Sequence, residues 1–374
     1  MAMNLAEKFS SKVDERFTRK AFSDGVTGSN YDFDGVETVN VYSMPIAPLS
    51  NYNRGRTIAQ NRYGDLADLQ AGVQRLTIGQ DKSFVFGIDR KDLAMSEAVM
   101  EANKSLSRQI DQSIIPAYDN YVFTTLAAKA SSMGNLSTTT PTKSNAYDLF
   151  LAGQEFLGDH MAPDEGRIAL CSYKFANLLK QDPAFVRYGD SSQKMLSTGV
   201  IGTVDGVTIK QVPSSRLPNG CSCLLTHPYA SVAPKKLEDY KIHDNPVGYS
   251  GYVVEGRFIF DCFVLDNKVN GIYYIGGSGV LRTLDVQTAA SVTVGKTRVI
   301  VAPAADSGNS WYYKTGTALT TVTFGTAITV ADWTKLDASG TEITPTSSHT
   351  IIQVVEVDSA NKPVGHGIAK LNIG

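Results

Sequence analysis

Residues 92–132 read DLAMSEAVMEANKSLSRQIDQSIIPAYDNYVFTTLAAKASS. Met95, Val99, Ala102, Leu106, Ile110 and Ile114 recur at steps of three and four, which puts them on one face of a 3.6-period helix. Asp92 suits the N-cap, and Gly134 suits the position just past the C-terminus. Pro116 lacks an N–H, and its ring would meet the carbonyl of Gln112, so a kink or restart is expected there. At 1.5 Å per residue the rod would be roughly 60 Å long, twice the width of a small domain. A rod of that length with one apolar stripe cannot be wrapped by one compact core. It predicts a flat or elongated subunit whose faces are completed by something else. The stripe is ragged and lacks sustained a/d heptads, which argues against a coiled-coil arm.

Upstream, residues 36–88 open and close on strand-like segments, VETVNVYSM and VQRLTIGQDKSFVFGI. In the second, Leu76 and Ile78 alternate, as do Phe84, Phe86 and Ile88. The middle is polar and Gly-punctuated, with Arg54, Arg56 and Arg62 close in sequence to Asp65 and Asp68. A connection this long exceeds ordinary loops and predicts a projecting hairpin. Two-stranded hairpins are marginal alone in water, so this one is expected to lie on another chain. Its charges then either pair across a subunit contact or solvate a tip. Residues 1–20 carry Leu5, Phe9, Val13 and Phe17 at steps of four among charged neighbours. Such a helix needs a partner surface, either on its own domain or on a neighbouring subunit, with Phe9 and Phe17 as candidate contacts.

Downstream, residues 143–230 alternate helical and strand patterns. Ser144 and Ser172 are placed as N-caps, and Asp205-Gly206 is a strong hairpin turn between two short apolar strands. Residues 235–278 read as strands in series. Gly276, Gly277 and Gly279 mark a hinge, after which Thr, Val, Ala and Gly dominate. Short strands, among them SVTV (291–294) and TVTFG (321–325), then recur at roughly ten-residue spacing, which predicts a small immunoglobulin-like β-sandwich with Trp311 and Trp333 in or beside its core.

Charged residues are 19% of the chain, below the usual ~25%, which suggests a surface largely covered by partners. The net charge of −2 argues against nucleic-acid binding driven by bulk charge. No apolar run is long enough for a membrane span, and the N-terminus lacks a signal-peptide core. Cys221 and Cys223 are two apart, as on one strand face, and His227 is near. No second pair stands at zinc spacing, so reduced thiols are expected and no metal site. The five histidines are scattered. Gly295-Lys296-Thr297 has Ala290 where a phosphate loop needs its first glycine, and Val280 spoils a nucleophile elbow at Ser278. No catalytic or cofactor site is expected, and no enzyme.

The order is amphipathic arm, long hairpin, long helix, α/β domain, Gly-rich hairpin and closing strands. It resembles the major capsid proteins of tailed double-stranded DNA bacteriophages, the Hong Kong 97-like family. The run GVIGTVDGVTIKQVPSSRLP, with Gly199, Gly202, Gly206 and Leu217-Pro218, is similar to that family's Gly-rich hairpin. So is LEDYKIHDNP…YSGYVVEGRFIFDCFVLDNKVNGIYYI to its C-terminal segment. The resemblance implies an α+β fold with an N-terminal arm (1–35), an extended loop (36–88), a peripheral domain with the spine helix (89–142 and 236–278) and an axial domain (143–235). A C-terminal Ig-like sandwich (279–374) would sit on the outer capsid surface. It implies self-assembly into hexamers, pentamers and an icosahedral shell around the genome, located in the virion and assembled in the host bacterial cytoplasm. The implied partners are copies of itself, separate scaffolding and portal proteins, non-specifically contacted DNA and, for the C-terminal domain, weakly bound host surfaces or glycans. No Lys lies between Lys20 and Lys82, so the covalent cross-linking of some relatives is not expected. An encapsulin-type nanocompartment shell and a secreted Ig-module adhesin or surface-layer protein are the alternatives.

Overall fold

The computed structural model describes residues 21–28, 38–43, 49, 51–52, 54, 72–91, 102–182, 203–346 and 348–372. The long helix begins within them as α1 (Ala102–Gln109), passes through a π-helical turn (Ile110–Ile114) and continues as α2 (Ile115–Ser132). The interruption expected at Pro116 is that π turn. Pro116 sits in the first turn of α2, directly after the π turn, where Ile115 N–H bonds Ile110 O five residues back. The helix ends at Gly134, left-handed at φ 80°, with Gly134 N–H bonded to Ser131 O and Asn135 N–H to Ala130 O.

One apolar stripe does not describe this rod. Val122, Phe123, Leu126, Ala127 and Ala130 are fully buried on one side of α2, and Thr124, Ala128 and Ser131 extend the burial round the helix, whereas the π turn has no buried residue. Leu106 and Ile110 are only half-buried. The rod therefore runs from a core at its C-terminal half to a surface at its N-terminal half.

Before the helix come β1 (Thr38–Ser43), β2 (Gly72–Thr77) and β3 (Gln80–Asp89). After it come β4 (Leu136–Ser137), α3 (Ala146–Asp159), β5 (Ile168–Ser172), α4 (Tyr173–Gln181), β6 (Thr203–Val204), β7 (Val207–Val212) and β8 (Cys221–Thr226). Then follow β9 (Ser231–Val232), β10 (Lys235–Asp244), β11 (Gly251–Phe260), β12 (Phe263–Val264) and β13 (Ile272–Gly276). A mixed sheet of order β4-β13-β8-β5-β7-β6 is the centre of the body. Every residue of β5 is buried because the sheet is covered on both faces. Ile168 and Leu170 face α2, Phe258 and Tyr274 in one core; Ala169 and Cys171 face Phe150, Leu157, Phe175 and Leu179 of α3 and α4 in another. Each of these large apolar side chains contributes about 1.5–3 kcal/mol by leaving water.

Local chemistry sets the helix starts. Ser172 Oγ accepts from Phe175 N–H at 3.1 Å, a true N-cap of α4. At α3 the cap position is Asn145 rather than Ser144, and Asn145 Oδ1 reaches back to Thr142 N–H at 2.6 Å.

Three sequence expectations are corrected. Cys221 and Cys223 lie on opposite sides of the sheet, one in each core, because β8 carries an irregularity opposite Ile275 and Gly276 that inverts the alternation. The two ends of the Gly276–Gly279 hinge are packed tight: a Cβ on Gly276 would stand 2.6 Å from Gly220 O, and one on Gly279 would run into the Phe324 ring, while Gly277 between them faces open space. The end glycines permit close approach and add no slack. Finally, SVTV and TVTFG form no strands. Ser291–Val294 belong to an exposed turn, and the stretch at Thr320 is held by both polar ends of the Gln353 amide.

The C-terminal unit comprises β14 (Arg282–Thr283), β15 (Asp285–Ala290), β16 (Thr297–Ala302), β17 (Ser310–Gly316), β18 (Thr334–Leu336), β19 (Thr341–Ile343), β20 (Ile351–Val357) and β21 (Pro363–Lys370). A sheet of order β14-β21-β20-β17-β18 packs on one of order β15-β16-β19 around Val286, Val299, Val301, Trp311, Ile343, Ile352 and Val354. Trp333 is buried in a smaller cluster with Val355 and Val357.

Candidate assembly surfaces

The long connection 36–88 has a defined root. β1 and β2 pair antiparallel from Thr38↔Thr77 to Ser43↔Gly72, so residues 44–71 leave and rejoin the body at one rung of a ladder. Alternation explains the ladder's two faces. Val41, Leu76 and Ile78 are buried against Val232 and Leu265. On the opposite face Tyr42 and Val73 stand directly across from each other and are 68% and 56% exposed. Gln74 fixes the root, donating to Val264 O at 3.0 Å and accepting from Asp266 N–H at 3.1 Å.

β3 continues into a three-stranded antiparallel sheet, β10-β11-β3. Phe84, Phe86, Ile88 and Val254 line one face, where Leu106 of α1 packs. Val85, on the other face, is 70% exposed, and Val247 at the β10–β11 tip is fully exposed.

A buried carboxylate holds the corner between β2 and β3. Asp261 accepts from Gly79 N–H at 2.8 Å, from Tyr121 Oη of α2 at 2.8 Å and from Cys262 N–H at 2.7 Å. Burial raises the Asp261 pKa, and the three hydrogen bonds pull against that rise. In an Asp261→Asn variant, either orientation of the amide leaves one backbone N–H, that of Gly79 or of Cys262, facing an NH2 group. The expected loss is about 1–3 kcal/mol, read as a lower urea midpoint at unchanged slope.

A second buried carboxylate ties down the start of the described chain. Asp119 of α2 accepts from Phe22 N–H and Ser23 N–H, both at 3.1 Å, from Ser23 Oγ at 2.6 Å and from Arg216 Nη1 at 2.6 Å. The Arg216 guanidinium also lies 5.1 Å from the Phe22 ring centre. The segment then runs to Gly28, whose N–H bonds Ser231 O at 2.8 Å and where a Cβ would meet Pro228 O at 2.7 Å.

Of the residues singled out in the sequence, Arg54 is exposed. Asp205 and Gly206, at φ 54° and 81°, make the exposed two-residue turn between β6 and β7. Phe9, Phe17, Arg56, Arg62, Asp65 and Asp68 lie outside the described residues, as does Asp92. Asp119, Arg216 and Asp261 escaped the sequence reading, because a lone charge in an apolar run gives no sign of its distant partner.

Among the described residues no group of His, Cys, Asp or Glu is placed to hold a metal, and no helix is long and apolar enough to cross a membrane. Cys171 and Cys223 face each other across β5 and β8 with their sulfurs 3.1 Å apart. Burial pushes the Cys223 thiol up, away from the reactive thiolate.

No protein-family model and no curated protein matches the chain in sequence. Solved structures match in shape. One from Mycobacterium phage Che8 has 16% identity and a TM-score of 0.56, covering 74% of this chain and 100% of its own. The asymmetric unit of the bacteriophage PhiM1 mature capsid has 12% identity and a TM-score of 0.54, covering 72% of this chain and 91% of its own. The capsid structure of the cyanophage P-SCSP1u has 15% identity and a TM-score of 0.54, covering 72% and 92%. This chain has a phage capsid fold. About a quarter of the chain lies outside the match, roughly the size of the C-terminal sandwich.

Proposed function

We propose that this chain is the major capsid protein of a tailed double-stranded DNA bacteriophage, a structural and non-enzymatic subunit of the virion. Copies associate as hexamers and pentamers into an icosahedral shell around the genome. The observation that carries the reading is the match to phage capsid structures over nearly their whole length. The bare apolar Tyr42–Val73 pair on the β1–β2 ladder agrees with it, since a subunit whose stability depends on lying over others leaves such a pair for a second copy. In this reading residues 1–35 form an arm, 36–88 an extended loop, 143–235 the part that meets around capsomer axes, and 279–374 an immunoglobulin-like unit on the outer surface. Separate scaffolding and portal proteins and non-specifically held DNA complete the assembly.

The test is negative-stain microscopy and sedimentation of the purified chain. Shells, tubes or capsomer rings are expected. A monodisperse monomer that persists at high concentration overturns the proposal. Nucleic acid recovered from native particles separates a virion from a nanocompartment shell.

A further inference from the structure

The C-terminal sandwich meets the body at the root of the 44–71 segment, through charges. Lys129 of α2, mostly buried, bonds Asp306 of the sandwich at 3.1 Å and Asp266 of the body at 3.2 Å. Asp266 is the residue whose N–H holds Gln74 of β2. Burial alone would lower the Lys129 pKa; Asp306 and Asp266 more than offset this and hold it above its ordinary value. Arg282 bonds the same Asp306 at 3.1 Å and the fully buried Glu356 at 3.4 Å. Glu356 in turn accepts from Asp306 N–H at 2.9 Å and Asn309 Nδ2 at 2.8 Å, so the loop that carries Asp306 is itself braced.

A second contact lies one short step away. Asp285 and Ala302 are partners on the first rung of the β15–β16 ladder. Asp285 pairs with Lys82 of β3 at 3.2 Å, while the Ala302 methyl lies 3.6 Å from where a Cβ on Gly79 would be. Gly79 is the corner that Asp261 holds to α2. Val280 N–H, donating to Ser131 Oγ at 3.1 Å, closes the junction on the helix side.

We propose that the C-terminal sandwich is a brace for the extended loop's root: it presses the β2–β3 corner onto the spine helix and so holds the β1–β2 ladder in place. Gly276 and Gly279 at its connection are packed and its charged contacts centre on Lys129 and Lys82, so the brace loosens when either loses its charge. A sandwich serving only as an exterior module would need a tether and none of these contacts. The consequence for assembly rests on the capsid reading; the brace itself does not.

Hydrogen exchange read by mass spectrometry on the full-length, unassembled chain tests it. The proteins are wild type, Lys129→Met, Lys82→Asp and the exchanged pair Lys82→Asp/Asp285→Lys. In both single variants exchange across residues 78–89 is expected to rise, about tenfold for Lys129→Met, whose ammonium is mostly buried, and about threefold for Lys82→Asp, whose pair with Asp285 is half exposed. Peptides from α3 and α4 should keep wild-type protection, and the exchanged pair should recover protection at 78–89. Unchanged exchange at 78–89 in both single variants overturns the brace. So does a rise that α3 and α4 share equally, because that is general loosening. If the wild-type chain never assembles, the capsid reading fails while the exchange result still decides the brace.

Discussion

An Arg216→Met variant is expected to lose about 3–5 kcal/mol of unfolding free energy, the cost of leaving a buried charge without its partner. Asp119 is fully buried and Arg216 nearly so, and the two meet at 2.6 Å. Methionine fills much of the space but offers no proton. Asp119 would keep the Phe22 and Ser23 N–H groups and lose the only cation bonded to it among the described residues. The loss should register as a lower urea midpoint with the slope unchanged. Arg216→Lys retains charge but cannot reproduce the planar guanidinium on the Phe22 ring, so it should fall between the two. A midpoint shift worth less than about 1 kcal/mol would mean that solvent reaches the pair and that the site is an ordinary surface bridge.

How much of this was legible beforehand follows from the range of each signal. The long helix, the Asp205-Gly206 turn and the β20–β21 hairpin announce themselves because periodicity and turn chemistry act within a few residues. The exposed-pair surface at Tyr42 and Val73 was half legible: the alternation is visible, but which face is bare depends on a register that sequence does not print. The Asp119, Asp261 and Lys129 nodes were not legible at all. Each joins groups separated by about a hundred residues or more, and each side chain looks like a solvated charge in its own stretch. The glycines at 276–279 misled for a related reason. Glycine permits both slack and close contact, and only the neighbour, Phe324 or Gly220, decides between them.

Replacing residues 44–71 by a short Asn-Gly turn should leave the chain folded and abolish its assembly. Ser43 and Gly72 already face each other across the ladder, and Asn-Gly favours the backbone twist that closes such a pair. Loop-closure entropy changes slowly with length, so shortening the connection costs the body little. The buried face of β1 and β2, with Val41 and Leu76, is untouched, and the melting temperature should stay within a few degrees of wild type. Assembly is another matter. The root of the segment bears the apolar Tyr42–Val73 pair turned outward. If it lies over a neighbour in the shell, each subunit loses one interface, and the concentration needed for assembly should rise at least about 100-fold, equivalent to ~2.7 kcal/mol per contact. Light scattering across a dilution series measures this. Shells forming at the wild-type concentration would show that the segment decorates the particle without joining it, and Tyr42 and Val73 would then need another explanation.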